Sequence, residues 1–137
     1  MKNYTLQDFL DIKDSPIQLK ELTIDFLNKE GNNKKLAEII SDRDDVEVKL
    51  DKVKLSVLKR EMGPVEENLI FSEDKEKWDR RVESFAKDIK GGYEPLPLIL
   101  TNFWTKLDLS DGSHRHAALE RLNVGEYWTV SFFEKRV

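Results

Sequence analysis

Six consecutive residues near the C-terminus combine a glycine turn with three side chains that can carry positive charge. The run is Asp111-Gly112-Ser113-His114-Arg115-His116. A strand that ends in Asp-Gly and turns into a helix presents backbone N–H groups without partners inside the helix, and the helix macrodipole favours an anion at the same place. An arginine there can hold two phosphate oxygens at once. The run therefore predicts a phosphate-binding turn.

The placement of the positive side chains supports this interpretation. A cation in the first turn of a helix opposes the macrodipole and costs about 0.3–1 kcal/mol, and a bound anion reverses that sign. Arg115 is accordingly expected to contribute most to ligand binding and little to the stability of the empty protein. The alternative is an ordinary Asp-Gly turn, in which Asp111 or Ser113 only caps the helix and the cations point into water.

Residues 1–45 are expected to form a helical N-terminal segment. Ser15-Pro16 is a typical helix start, and Asn32 or Asn33 can cap a further helix. Over residues 46–57 apolar and charged residues alternate, which predicts a strand or a pair of strands. The period of the sequence thus changes from helical to extended near residue 46.

Residues 46–137 are expected to form an α+β domain with a small mixed sheet. A helix capped by Ser72 carries an apolar stripe from Trp78 to Ile89 and ends at Gly91-Gly92. The elements expected after it are a strand over 95–100, a connection over 102–106, a return strand over 107–109, a helix over 113–122 and a closing strand around 128–132.

Composition limits the classes of function. The net charge is −4 and the isoelectric point about 5.3, which argues against a general grip on nucleic acid. The chain has no cysteine, so disulfides and thiolate chemistry are excluded. No apolar stretch is long enough to cross a bilayer, and no secretory signal is visible at the start. We expect a cytoplasmic protein without a membrane partner.

The stretch from Leu107 to Leu122 resembles the phosphate-binding turn of the ParB/sulfiredoxin superfamily, and the likeness extends over residues 46–134. The superfamily includes ParB nucleotide-binding domains, sulfiredoxin and a free-serine kinase whose turn reads Asp-Gly-x-His-Arg, as this one does. The resemblance implies that Gly112, Ser113, His114 and Arg115 contact phosphate and that Asp111 shapes the turn or polarises a bound group. His116, which has no equally firm counterpart, is included among the phosphate-binding candidates.

Two members of the superfamily fit this sequence less well than the kinase. Sulfiredoxin needs a cysteine beside the turn, and this chain has none. ParB has a helix-turn-helix domain after its nucleotide-binding domain, for which the sequence up to Val137 leaves no room. We therefore expect neither sulfiredoxin chemistry nor specific binding to duplex DNA.

The resemblance does not identify the catalytic acid of the predicted site. The kinase has a glutamate shortly after its opening strand, where this sequence has Ser56 and Val57. The nearest acids are Glu61, Glu66 and Glu67, and a carboxylate near the phosphates could bind Mg²⁺ or accept a proton. Glu61 is the preferred candidate, beside the alternative of an ordinary acidic loop. No metal ligands are assigned.

The function expected from these observations is binding of a nucleoside triphosphate, with ATP as the default, followed by hydrolysis or phosphate transfer with Mg²⁺. An unidentified small molecule would be the acceptor, and a homodimer is left open. Two alternatives remain: a nucleotide-sensing or phosphate-sensing module without catalysis, and a ParB-like nuclease.

Overall fold

The fold alternates helical and extended segments around one mixed sheet. In the computed structural model, residues 4–103 and 107–134 are described. The helices are α1 Leu6–Leu10, α2 Pro16–Asn28, α3 Lys34–Ser41, α4 Lys75–Lys90 and α5 Ser113–Arg121. The strands are β1 Val46–Lys54, β2 Lys59–Arg60, β3 Met62–Pro64, β4 Phe71–Glu73, β5 Leu98–Asn102, β6 Asp108–Asp111 and β7 Glu126–Glu134. The predicted α+β class is confirmed.

The N-terminal helices begin where the sequence predicts. The Ser15 side chain accepts a hydrogen bond from the backbone N–H of Gln18, with Pro16 in the first turn. Asn33 caps α3 in the same way, through the N–H of Leu36. These side chains satisfy N–H groups that have no partner inside the helix.

The main sheet has five strands in the order β1-β7-β5-β6-β2. β7 lies antiparallel to β1 and parallel to β5, while β6 runs antiparallel to β5 and parallel to β2. β3 and β4 form a separate parallel pair. The return of the chain from β5 to β6 was expected, although residues 104–106 of that connection lie outside the described residues. Strand β6 of this sheet therefore leads directly into the Asp-Gly turn.

Helices cover both faces of the sheet. Ile99 of β5 packs with α2 and α3 residues such as Leu19 and Ile40, whereas its neighbours Leu98 and Leu100 lie in a cluster with α5 on the opposite face. Such alternation is the normal consequence of the strand pleat. The helical segment 1–45 thus shares its hydrophobic core with the sheet.

Several predicted boundaries differ from the structure: β5 spans Leu98–Asn102 instead of 95–100, and the differences at β1 and α4 have a clear local cause. β1 ends at Lys54, because residues 55–57 form a short 3₁₀ turn that buries Leu55 and leaves Val57 exposed. The cap of α4 is Asp74, which accepts from the N–H of Lys77, whereas Ser72 lies in β4. A carboxylate at Asp74 also has a favourable interaction with the helix macrodipole.

Candidate functional site

The turn between β6 and α5 is built around a left-handed glycine. Gly112 has a φ of +100°, and no side chain caps α5. The first backbone hydrogen bond of the helix runs from the His116 N–H to the Gly112 carbonyl, at 2.8 Å. The N–H groups that precede it, from Ser113 to Arg115, have no partner inside the helix. The predicted helix start is confirmed, and it offers donors to an anion.

The space beside Gly112 is occupied by the protein itself. A Cβ at this position would lie 2.8 Å from an Nη atom of Arg115 and 2.9 Å from a Leu98 methyl carbon. Any side chain would therefore be strained by the backbone angle and would also collide with neighbours. Glycine is required here for the packing of Arg115, rather than only for the approach of a phosphate.

Arg115 is a buried part of the empty protein. Its relative exposure is 9%, and its Nη2 group donates a hydrogen bond of 2.9 Å to the Pro97 carbonyl. The same group lies 3.5 Å from a carboxylate oxygen of Asp111, and the buried Nε has no hydrogen-bond partner within the described chain. The guanidinium turns back onto the sheet instead of projecting into solvent, so we now expect Arg115 to contribute to stability, contrary to the expectation from the sequence.

The Asp111 carboxylate joins two distant parts of the chain. One oxygen accepts a 3.2 Å hydrogen bond from the Asn33 side-chain amide, at the start of α3, and the other faces Arg115. Residues 33 and 111 belong to the helical segment and to the last strand before the turn. Asp111 therefore fixes the shape of the turn, which is one of the two roles suggested by the resemblance.

His114 lies at the same turn, in contact with α4 and β4. Its Nε2 is 3.1 Å from a carboxylate oxygen of Glu73, and its ring packs against the Trp78 indole with centroids 4.6 Å apart. Burial lowers the pKa of His114, and the hydrogen bond to Glu73 opposes that effect without cancelling it. Glu73 also lies 4.0 Å from Arg81. His114 is consequently a mainly neutral imidazole near pH 7.

The structure does not bring His116 to the surface of the predicted phosphate-binding turn. Its side chain is 3% exposed, and Nε2 lies 2.9 Å from the Leu55 carbonyl, in the 3₁₀ turn that follows β1. Nδ1 is 3.3 Å from a Glu120 oxygen, but off the line of a hydrogen bond. His116 borders a second cavity on the other side of α5 and anchors the helix there.

A cavity of about 740 Å³ opens over the start of α5. Residues 109–115 form its floor, α4 contributes Arg81, Ser84, Phe85 and Asp88, and Glu61 borders it from the segment after β2. Ser110 also lies there, its hydroxyl bonded to that of Thr101 at 2.6 Å. The cavity is large enough for a small organic phosphate.

Glu61 is the one acid of the three candidates that borders this cavity. It is partly buried, and desolvation raises its pKa, with a smaller contribution from the nearby charge of Asp108. Glu67 instead forms an ion pair of 2.8 Å with Arg60, and Glu66 is exposed. Glu61 also borders the second cavity, so it separates two recesses of the surface.

One wall of the cavity comes from the helical segment, which sequence reasoning did not connect to the site. Phe26, Glu30, Gly31 and Asn33 line it from the end of α2 and the start of α3. The polar turn Gly31-Asn32-Asn33 was visible in the sequence, but only as a helix boundary. Its position over the site follows from the packing of α2 and α3 on the sheet.

A metal-binding cluster and a membrane-spanning helix are both absent from the described parts of the chain. Residues 4–103 and 107–134 contain no group of three or more His, Asp or Glu side chains placed to hold a metal ion. Within the same ranges, no helix is both long and apolar enough to span a membrane.

Several solved structures share part of the course of this chain. A conserved hypothetical protein from Pyrococcus furiosus matches 60% of this chain with 21% identity and a TM-score of 0.47. A pNOB8-like ParB N-domain matches 68% with 16% identity and a TM-score of 0.45. Sulfiredoxin from Arabidopsis thaliana matches 64%, and 85% of its own length, with 16% identity and a TM-score of 0.43.

The match spans about a third of the length of each of the first two proteins, namely 31% and 33%. No protein-family model and no curated protein matches this sequence. These likenesses concern the course of the chain alone. The chemistry must therefore be inferred from the residues of the site.

Replacing Arg115 by alanine is expected to destabilise the empty protein by about 1.5–3 kcal/mol. The substitution removes a charged hydrogen bond to the Pro97 carbonyl and leaves that buried acceptor without a partner. Urea unfolding measures the change. Arg121→Ala, at an exposed position in the last turn of the same helix, is the control and is expected to cost less than about 1 kcal/mol. An equal loss of unfolding free energy in the two variants would show that Arg115 contributes no more to stability than an exposed arginine.

The imidazole of His114 is expected to titrate below the ordinary value of about 6.5. At pH values between the lowered pKa of the folded protein and the ordinary pKa of the unfolded chain, the unfolded chain binds more protons than the folded one. The free energy of unfolding should therefore fall as the pH falls through this window. NMR titration of the two histidines tests this, with His114→Gln to assign the resonance. A midpoint at or above about 6.5 would contradict the burial argument.

Proposed function

We propose that this protein binds a nucleoside triphosphate, with ATP as the first candidate, and hydrolyses it or transfers its terminal phosphate with Mg²⁺. The observation that carries the proposal is the single cavity bordered by both the uncapped start of α5 and the partly buried Glu61 carboxyl. Phosphoryl transfer needs such a pair: donors that hold phosphate oxygens, and an acid beside them. The resemblance of the turn to the free-serine-kinase type agrees with this pairing.

Phosphate binding would rest mainly on the backbone. The N–H groups of Ser113 and His114 and the macrodipole of α5 favour an anion at the floor of the cavity. Arg115 adds a positive charge from below, although its Nη2 is already bonded to Pro97. Arg81, at the rim on α4, is a further cation in reach of the cavity. The cavity is lined by four acids (Glu30, Glu61, Asp88 and Asp111) and two arginines, so phosphate binding would depend on the donors at the turn and not on the overall charge of the cavity.

Glu61 is proposed as the acid that completes the site. Mg²⁺ is usually held by one or two carboxylates together with phosphate oxygens, so a single glutamate beside the phosphates fits this ion. When bound, Mg²⁺ would neutralise charge that develops on the phosphate oxygens. As an alternative to holding the ion, Glu61 can accept a proton from water or from a small-molecule acceptor. The raised pKa brings its basicity closer to neutral pH, which suits a general base.

Addition of ATP with Mg²⁺ is expected to shift the backbone amide resonances of residues 112–115 in NMR spectra. Adenosine, which has the same base and ribose without phosphates, is the matched control and should leave these resonances unchanged at equal concentration. The difference isolates the phosphate contribution, because N–H groups at a helix start bind the anion and not the base. Shifts that cluster outside the cavity would exclude the proposed site.

If the carboxylate is the general base, the Glu61→Gln variant is expected to release phosphate more slowly by a factor on the order of 10²–10⁴, with unchanged ATP affinity. If the carboxylate holds Mg²⁺, the affinity for Mg²⁺ with ATP falls as well. Phosphate release and nucleotide titration are measured on the same preparations. Glu66→Gln, an exposed acid five positions further on, should match the parent in both assays. ATP binding without turnover by the parent protein would indicate a sensing module.

A further inference from the structure

The outer edge of β1 is an unused pairing surface. β1 is nine residues long and stands at the end of the main sheet, where β7 pairs with it from one side. In the described parts of the chain no strand pairs with its other side. Alternate residues of an edge strand direct their N–H and C=O groups outward, and such a row is a template for another strand.

We propose that two copies of this chain associate through β1, in antiparallel pairing about a two-fold axis at Leu50. The two main sheets would then continue into each other. A second copy is the partner that fits, because reversing the strand about Leu50 sets Lys49 opposite Asp51 and sets no charged residue opposite a like charge. This association is independent of the proposed nucleotide site.

The charge sequence selects this register. A two-fold axis perpendicular to the sheet keeps equivalent faces together, so Lys49 of one copy lies opposite Asp51 of the other, twice per dimer. An axis at Lys49 would place two lysines opposite each other and Glu47 opposite Asp51. An axis at Asp51 would oppose two aspartates. An axis at Val48 would also set Glu47 opposite Lys49, but it would pair only residues 46–50 instead of all nine residues of β1. Like charges in direct opposition destabilise a strand pair, whereas opposite charges stabilise it.

Lys49 and Asp51 have no competing charged partner within the sheet. Across the β1–β7 pair they face Ser131 and Thr129, which are uncharged. Both side chains are exposed, and neither takes part in an ion pair in the described structure. Leu50 between them is buried under the helical segment. The two charges are therefore placed for an intermolecular contact and are not needed for the fold.

Sedimentation at protein concentrations from about 1 µM to about 1 mM tests the proposal. The parent protein is expected to form dimers within this range. Lys49→Asp and Asp51→Lys each convert two attractive contacts into two repulsive ones and should weaken dimerisation by roughly tenfold or more. The Lys49→Asp/Asp51→Lys double variant restores opposite charges and should restore the dimer.

The control is Lys87→Asp, which makes the same charge change at an exposed position on α4 and should leave the dimer intact. Circular dichroism of each variant checks that the fold is unchanged. A parent protein that stays monomeric at about 1 mM would overturn the proposal. So would a dimer that survives both single charge reversals.

The register can be tested directly by disulfide formation, because the chain contains no cysteine and any cross-link must come from the introduced residues. A mixture of Lys49→Cys and Asp51→Cys proteins should form disulfide-linked heterodimers faster than either protein alone, since residues directly opposite in an antiparallel pair lie about 4.5–5.5 Å apart. Equal rates for the mixture and the separate proteins would contradict the axis at Leu50, whatever the sedimentation result.

Discussion

The left-handed conformation of Gly112 is the constraint on which the site depends. Because this residue has no side chain, α5 can begin directly over the sheet, and the Arg115 guanidinium can occupy the space beside the turn. That placement brings Arg115 to the Pro97 carbonyl and to the Asp111 carboxylate, which in turn holds Asn33. The backbone conformation of Gly112 thus affects the positions of the end of β6, the start of α5 and the adjoining part of the helical segment.

The three basic side chains of the turn all make contacts within the fold. Arg115 and His116 are buried, and each faces a backbone carbonyl of another element. His114 is partly buried against Trp78 and Glu73. What remains directed at the cavity is chiefly the backbone itself, whose N–H groups are fixed before any ligand arrives. A site built from such groups has little reorganisation to undergo on binding.

The sequence allowed good prediction of features that depend on neighbouring residues. The caps Ser15 and Asn33, and the start of α5 after Gly112, follow from local chemistry and were predicted correctly. The contact between Asn33 and Asp111 joins residues 78 positions apart, and no local pattern indicates it. The burial of Arg115 was also missed, because charge and spacing do not reveal whether a carbonyl of another strand lies in reach.

Because the helical segment forms one wall of the cavity, binding of a ligand in the cavity and docking of that segment would be linked equilibria. The turn between α2 and α3 borders the cavity through Gly31 and Asn33, while the same helices bury the other face of the sheet. A ligand that contacts both the wall and the start of α5 binds only when the helical segment is docked, and it therefore stabilises that docking by mass action. A ligand bound in this way would suppress local opening of residues 16–41, and the segment would then take part in the exchange of that ligand.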